Sequence, residues 1–218
     1  MDPVKGKDDL LMRVRTAMHG RRCTARAGAS IPVHAGAGSP AERIDLFRSR
    51  FEDLGGTFVS GASAESAARP LWEALREEGV TALLVPEDDP AARSLADALA
   101  PLGPYRIAPP DEIRQATPPP CAGIQSAEYA IAETGTLVQT SAGGKTLLPG
   151  LITDVHVAVL SPAAFIDRME ECLAALAHNT PRNISFITGP SRTTDIERTL
   201  TVGVHGPRKV VAVLLSAG

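Results

Sequence analysis

Apolar positions recur with a helical period early in the chain and in continuous runs later. Between Ser39 and Gly55 the residues Ile44, Phe47, Phe51 and Leu54 fall on one helical face. Ser39 is placed to cap that helix, Pro40 suits its first position, and Glu42 completes a capping box. Gly55-Gly56 ends it, and Thr57 to Ser60 follows as a short strand. A second helix is expected over about 63–78, with Leu71, Trp72 and Leu75 facing inward. Pro70 interrupts that stretch and leaves open whether the helix begins there. Val80 to Val85 reads as a compact strand. Asp89 and Pro90 then open a third helix with Leu95, Ala98 and Leu99 on its buried side. An N-terminal helix is expected over Asp8 to His19, and residues 20–38 read as a flexible connection.

The second half is richer in strands. Leu137 to Thr140, Val155 to Leu160, Ile184 to Ile187 and Lys209 to Leu215 are strand candidates. Near-continuous apolar runs such as Val155 to Leu160 are what a strand covered on both faces requires. A helix is expected to start at Ser161-Pro162, with Phe165, Met169, Cys172, Leu173 and Leu176 on one side. A short helix is expected over Asp195 to Leu200. Five prolines between 108 and 120 suggest a surface connection. The alternation of helix and strand predicts an α/β fold with a mostly parallel central sheet flanked by helices. The expected organisation is an N-terminal helix and connection over 1–38 and a single α/β domain over 39–218.

Composition narrows the function classes. The 218 residues are 44% hydrophobic and 22% charged, with a net charge of −3. Neither the charge nor an aromatic content of 4% suits a nucleic-acid-binding surface. The cluster Arg21, Arg22 and Arg26 reads as a solvated loop. Cys23, Cys121 and Cys172 are far apart and offer no local spacing for zinc or an iron–sulfur cluster, so no metal is expected. Thiols of this kind suit a reducing cytoplasm. No apolar run approaches the ~18 residues of a membrane span, and the first residues lack a signal-peptide pattern. A cytoplasmic location is the expectation.

The candidate chemistry gathers in two glycine-containing turns. Glu133 precedes Thr134-Gly135-Thr136 at the start of a strand, a position near which ligands bind in open α/β sheets. It is a candidate acid/base or nucleophile, against the plainer role of capping backbone amides or pairing with an arginine. The Thr-Gly-Thr amides and hydroxyls could cradle an anion. The plainer alternative is a turn that needs glycine for positive φ. Gly189, Ser191, Arg192, Thr193 and Asp195 lie between a strand and an expected helix, a second possible anion site. Thr194 and Glu197 also fit a capping box there. His205, in Gly-Val-His-Gly-Pro, is a candidate acid, base or ligand, or else a loop histidine bonded to backbone. His156, inside an apolar strand, reads as a satisfied core residue. Lys145, in Ser-Ala-Gly-Gly-Lys, could close on an anion.

Several motifs in order carry a family resemblance. The run Ile124 to Val138, the strand Val155 to Val159, the stretch Phe186 to Glu197 and the loop Gly203 to Arg208 resemble the lactate utilization protein C family and its LUD domain. The likeness is strong from about Cys121 onward. It implies a fold like that of ribose-5-phosphate isomerase, glucosamine-6-phosphate deaminase and the CoA-transferases. It also implies an accessory role in oxidising L-lactate to pyruvate, beside iron–sulfur partner subunits that hold the clusters, with no cofactor bound by this chain. A small anionic ligand is then expected between the two turns. Glu128 stands where the family usually has Asp, and residues 141–154 replace its usual basic, Leu-rich segment. The alternatives are a stand-alone isomerase or CoA-transferase-like enzyme using Glu133, and a non-catalytic regulatory module.

Overall fold

The computed structural model describes Met12 and residues 38–109, 120–193, 201–202 and 206–216. The expected helices over 8–19 (Met12 aside) and 195–200, most of the connection over 20–38, and the residues Asp195 and His205 lie outside the described residues. Residues Ala35–Gly218 form one compact unit.

Helix α1 (Pro40–Asp53) starts as the capping pattern demands. The Glu42 amide donates to Ser39 Oγ (3.3 Å), and the Ser39 amide donates to Glu42 Oε2 (2.7 Å). The same contacts hold the Glu42 carboxyl below its ordinary pKa. Phe47 and Phe51 are fully buried and stack at 5.4 Å. Strand β1 (Thr57–Gly61) leads to α2 (Ala64–Glu77). Pro70 lies inside α2, because the Ser63–Ser66 capping contacts start the helix earlier. Strand β2 (Ala82–Leu84) is shorter than its apolar run, and α3 (Pro90–Leu99) follows from the Asp89 cap. A two-residue strand β3 (Arg106–Ile107), which no local pattern marked, closes the first half.

The second half supplies β4 (Cys121–Ser126), β5 (Tyr129–Ile131), β6 (Thr136–Thr140), a short helix α4 (Leu148–Ile152) and β7 (Val155–Leu160). Then come β8 (Phe165–Ile166), α5 (Met169–Ala177), β9 (Ile184–Ile187), β10 (Arg192–Thr193), β11 (Thr201–Val202) and β12 (Lys209–Leu215). The helix expected from Ser161 therefore begins only at Met169. Phe165 and Ile166 instead pair in parallel with Ala130 and Ile131. Phe165 sits edge-on to Phe47 at 5.3 Å, and its carbonyl accepts from Arg43 Nη1. Tertiary contacts outweigh helical spacing here.

The central sheet runs β1-β12-β7-β4-β2-β3, and every neighbouring pair is parallel. This is the α/β class expected, with helices on its flanks. One face, carrying Ala122, Ile124, Val157 and Val211, packs on α2 and α3. The other carries Ala158, Leu160, Val210 and Ala212, and packs on α1 and a second, four-stranded sheet, β8-β5-β6-β9. A bidentate ion pair from Arg43 to Asp167, both bonds 2.9 Å, ties α1 to the end of β8.

The strand order reverses between β2 and β4. From β2 the chain continues through α3, on the first face, outward to β3. From β4 it continues through the second sheet and α4, on the opposite face, to β7. Loops leaving two such strands splay apart, and the crevice beyond their carboxyl ends is where open α/β sheets accept ligands.

Candidate functional site

The two glycine turns do come together. Thr134 Oγ1 donates to Thr136 Oγ1 (2.7 Å), and Thr136 Oγ1 lies 2.9 Å from Thr188 Oγ1. Both turns abut the end of α1. Gly135, at φ +64°, would place a Cβ 2.6 Å from the Phe51 nitrogen, and Gly189, at φ +90°, would place one 2.9 Å from the Leu54 carbonyl oxygen. Each glycine is required by its positive φ and by the close approach. Three of the turn amides are engaged within the fold: Glu133 donates to the Asp167 carbonyl, Gly135 to Ile131, and Ser191 to Pro207. Thr136 pairs with Ile131 in the sheet. The neighbouring helix end is a carboxyl terminus, whose partial negative charge opposes an anion.

Glu133 is engaged as well. Its Oε1 accepts the Met169 amide (2.8 Å) at the start of α5, and Oε2 lies 3.8 Å from Arg168 Nε. A carboxylate at a helix amino terminus is stabilising in its own right. The backbones of Arg192 and Thr193 form β10, paired antiparallel with Thr201 and Val202.

The β2/β4 crevice has the opposite character. A cleft of about 540 Å³ opens beside Leu84 and Pro86, lined also by Glu87, Asp88, Arg93 and Thr146. That volume is in the range of small-molecule sites. It adjoins a narrow recess formed by Pro86, Asp88, Gln125, Ser126, Glu128 and Lys145, among others. Asp89 fixes the rim: it accepts the Ala92 amide as the α3 cap, and both the amide (2.6 Å) and hydroxyl (2.8 Å) of Ser126. Glu128 accepts the Thr140 amide on Oε2 (2.9 Å) and Lys145 Nζ on Oε1 (3.1 Å). Lys145 follows Gly143 and Gly144, both at positive φ with open space around them, and its side chain is half exposed.

Behind the recess lies a buried polar layer. Gln125 is 3% exposed, Gln139 1% and His156 0%. Gln139 Nε2 is 3.0 Å from His156 Nε2. His156 is a core residue as expected, but only half satisfied, because its Nδ1 has no partner; Gln125 Oε1 has none either. Burial pushes the His156 pKa down to about 4, so the ring is neutral at ordinary pH. The layer exists because two glycines admit it. A Cβ on Gly123 would collide with the Pro149 carbonyl, and one on Gly150 would lie 2.9 Å from Gln139 Oε1. Neither Gln125 nor Gln139 stood out in the sequence reading. The available signal was a glutamine at an otherwise buried position of a short apolar strand, with a glycine two residues before it in β4.

Among the described residues no three His, Cys, Asp or Glu side chains group to hold a metal ion. Cys121 and Cys172 are buried, and burial raises the Cys172 thiol to about 11. Among the described residues no helix is long and apolar enough to cross a membrane.

Residues 108–215, which span β4 to β12 and most of the recess, match the LUD domain. Lactate utilization protein C of an Exiguobacterium species is 36% identical over 99 residues, 43% of each chain. Its Bacillus subtilis counterpart is 34% identical over 100 residues, 43% of this chain and 42% of that one. The match thus spans less than half the length of these curated relatives. A crystal structure of a DUF162 family protein from Deinococcus radiodurans shares the fold, with a TM-score of 0.56, 20% identity, and coverage of 82% of this chain and 99% of that one.

Proposed function

The chain belongs to the LUD-domain family of lactate utilization protein C, and from that premise we propose that it serves lactate utilisation as an accessory subunit. In this reading it works beside iron–sulfur subunits that oxidise L-lactate to pyruvate, and the clusters reside in those partners. Its own part is to bind a small anionic ligand in the crevice beyond β2 and β4. The observation that carries the role is the similarity over 108–215 to proteins named for lactate utilisation. The placement of the ligand rests on the reversal of strand order, with Lys145, just after two glycines at positive φ, paired with Glu128 beside the recess.

The crevice suits a small ligand of low charge. Glu87, Asp88, Asp89 and Glu128 line the cleft and recess together with Arg93 and Lys145, with Asp89 bound to Ser126 and Glu128 paired with Lys145. A multiply charged phosphate ester would meet more carboxylates than cations. This weakens the stand-alone phosphosugar isomerase reading, as does the engagement of Glu133 in capping α5.

Affinity isolation of the tagged full-length protein from cells grown on L-lactate tests the role. Recovery of iron–sulfur subunits, with slowed growth on lactate after deletion, is the expected result. Isolation without any such subunit, together with unchanged growth, would contradict it.

A further inference from the structure

The cleft beyond β2 and β4 is apolar inside and polar only at its rim. The buried members of its lining are Leu84, Ala108 and Pro149, and Ile107 of the edge strand β3 adds a wall that is 62% exposed. Its polar lining residues, Glu87, Asp88, Arg93 and Thr146, are all exposed. Among the described residues the side chains of Glu87, Asp88 and Arg93 make no hydrogen bond or ion pair. At about 540 Å³ the cleft is far larger than a three-carbon acid fills. A site of that size holds its ligand chiefly through apolar contact, with a few polar groups fixing its orientation. The rim decides the charge. A simple carboxylate at Arg93 would share the rim with two uncompensated carboxylates, and a simple amine would leave the guanidinium without a partner. A molecule that carries both charges side by side, with an apolar body behind them, meets all three groups and the floor.

Resting on the reading that the crevice takes a small ligand with an anionic group, we propose that the cleft binds a free α-amino acid with a large apolar side chain. Its carboxylate pairs with Arg93, its ammonium with Glu87 and Asp88, and its side chain covers Leu84, Ile107 and Pro149. Burial of that side chain supplies most of the binding, because each ion pair at an exposed rim contributes little. The charges supply the selection. The ligand as a whole is neutral, which suits a rim of mixed sign.

Calorimetric titration of the full chain with L-phenylalanine, 3-phenylpropionate, phenethylamine and glycine tests this. L-Phenylalanine should bind at least about threefold more tightly than either analogue that lacks one charge, and at least about tenfold more tightly than glycine, which lacks the apolar body. Arg93→Met should erase the advantage over phenethylamine, and Glu87→Gln with Asp88→Asn the advantage over 3-phenylpropionate. All three residues are exposed, so the fold should persist. If 3-phenylpropionate or glycine binds the native chain as tightly as L-phenylalanine, the proposal is overturned and the anionic-ligand reading stands. If phenethylamine does so, the carboxylate plays no part and both fall. Failure of all four to bind overturns the proposal alone where L-lactate still binds in the crevice, and both where it does not.

Discussion

The glycine-turn joint and the β2/β4 crevice use similar residues for opposite ends. At the joint, Gly135 and Gly189 let two turns close onto the last turn of α1, and Glu133 caps α5. In the crevice, Gly123 and Gly150 admit a layer of buried amides, and Gly143 and Gly144 take positive φ just before Lys145, which pairs with Glu128. At the joint Thr134, Thr136 and Thr188 bond to one another, and Glu133 accepts the Met169 amide. The crevice leaves Gln125 Oε1 and His156 Nδ1 without partners. A glycine in such motifs thus marks either a close approach of backbones or a positive φ, and only the neighbours say whether it makes a joint or a pocket.

The largest expected effect breaks the joint. Gly135→Ala combines an unfavourable φ with a Cβ 2.6 Å from the backbone of Phe51. It should lower stability by roughly 3 kcal/mol, measured by urea unfolding. A near-native midpoint would mean the joint is looser than described.

Acid probes the layer behind the crevice. His156 has its folded pKa lowered to about 4 from an unfolded 6.5. The unfolded chain then takes up a proton that the folded chain refuses. Stability should be fully present above pH 6.5 and fall as pH drops toward 4, by on the order of 3 kcal/mol from this residue. Urea midpoints across that range should drop less in His156→Gln than in the native protein. Parallel curves would place the titration elsewhere.

Glu133→Gln sharpens the contrast further. The amide oxygen can still accept from Met169, so thermal unfolding should report a loss of no more than about 1 kcal/mol. Ligand binding should persist. A large loss of binding with intact folding would return Glu133 to the site. Smallest of all is the stability effect of Lys145→Met, expected within about 0.5 kcal/mol because its ion pair is half exposed. A large drop in melting temperature would make Lys145 structural.

The sequence reading located the elements whose residues act locally or repeat. Val155–Leu160, Ile184–Ile187 and Lys209–Leu215 are strands over the full runs expected, the first and last because continuous apolar residues leave little else for a covered sheet to use. The α1 start was legible because a capping box is written in four consecutive positions. Phe165-Ile166 was not, because pairing with β5 and packing on Phe47 come from distant segments. β4 went unmarked because Gly123 and Gln125 break its apolar run, and those two residues help form the pocket. The turns at Glu133–Thr136 and Gly189 were found, but their packing against α1 depends on residues eighty or more positions away.

The central claim is that ligand enters the crevice and not the glycine joint. The most direct test is titration of the isotopically labelled chain with L-lactate, followed through its backbone amide resonances. Shifts concentrated at Gln125, Ser126, Glu128, Thr140 and Lys145, with Glu133 to Thr136 and Thr188 to Ser191 unmoved, are the predicted result. Shifts centred on those two turns, with the crevice residues silent, would contradict it.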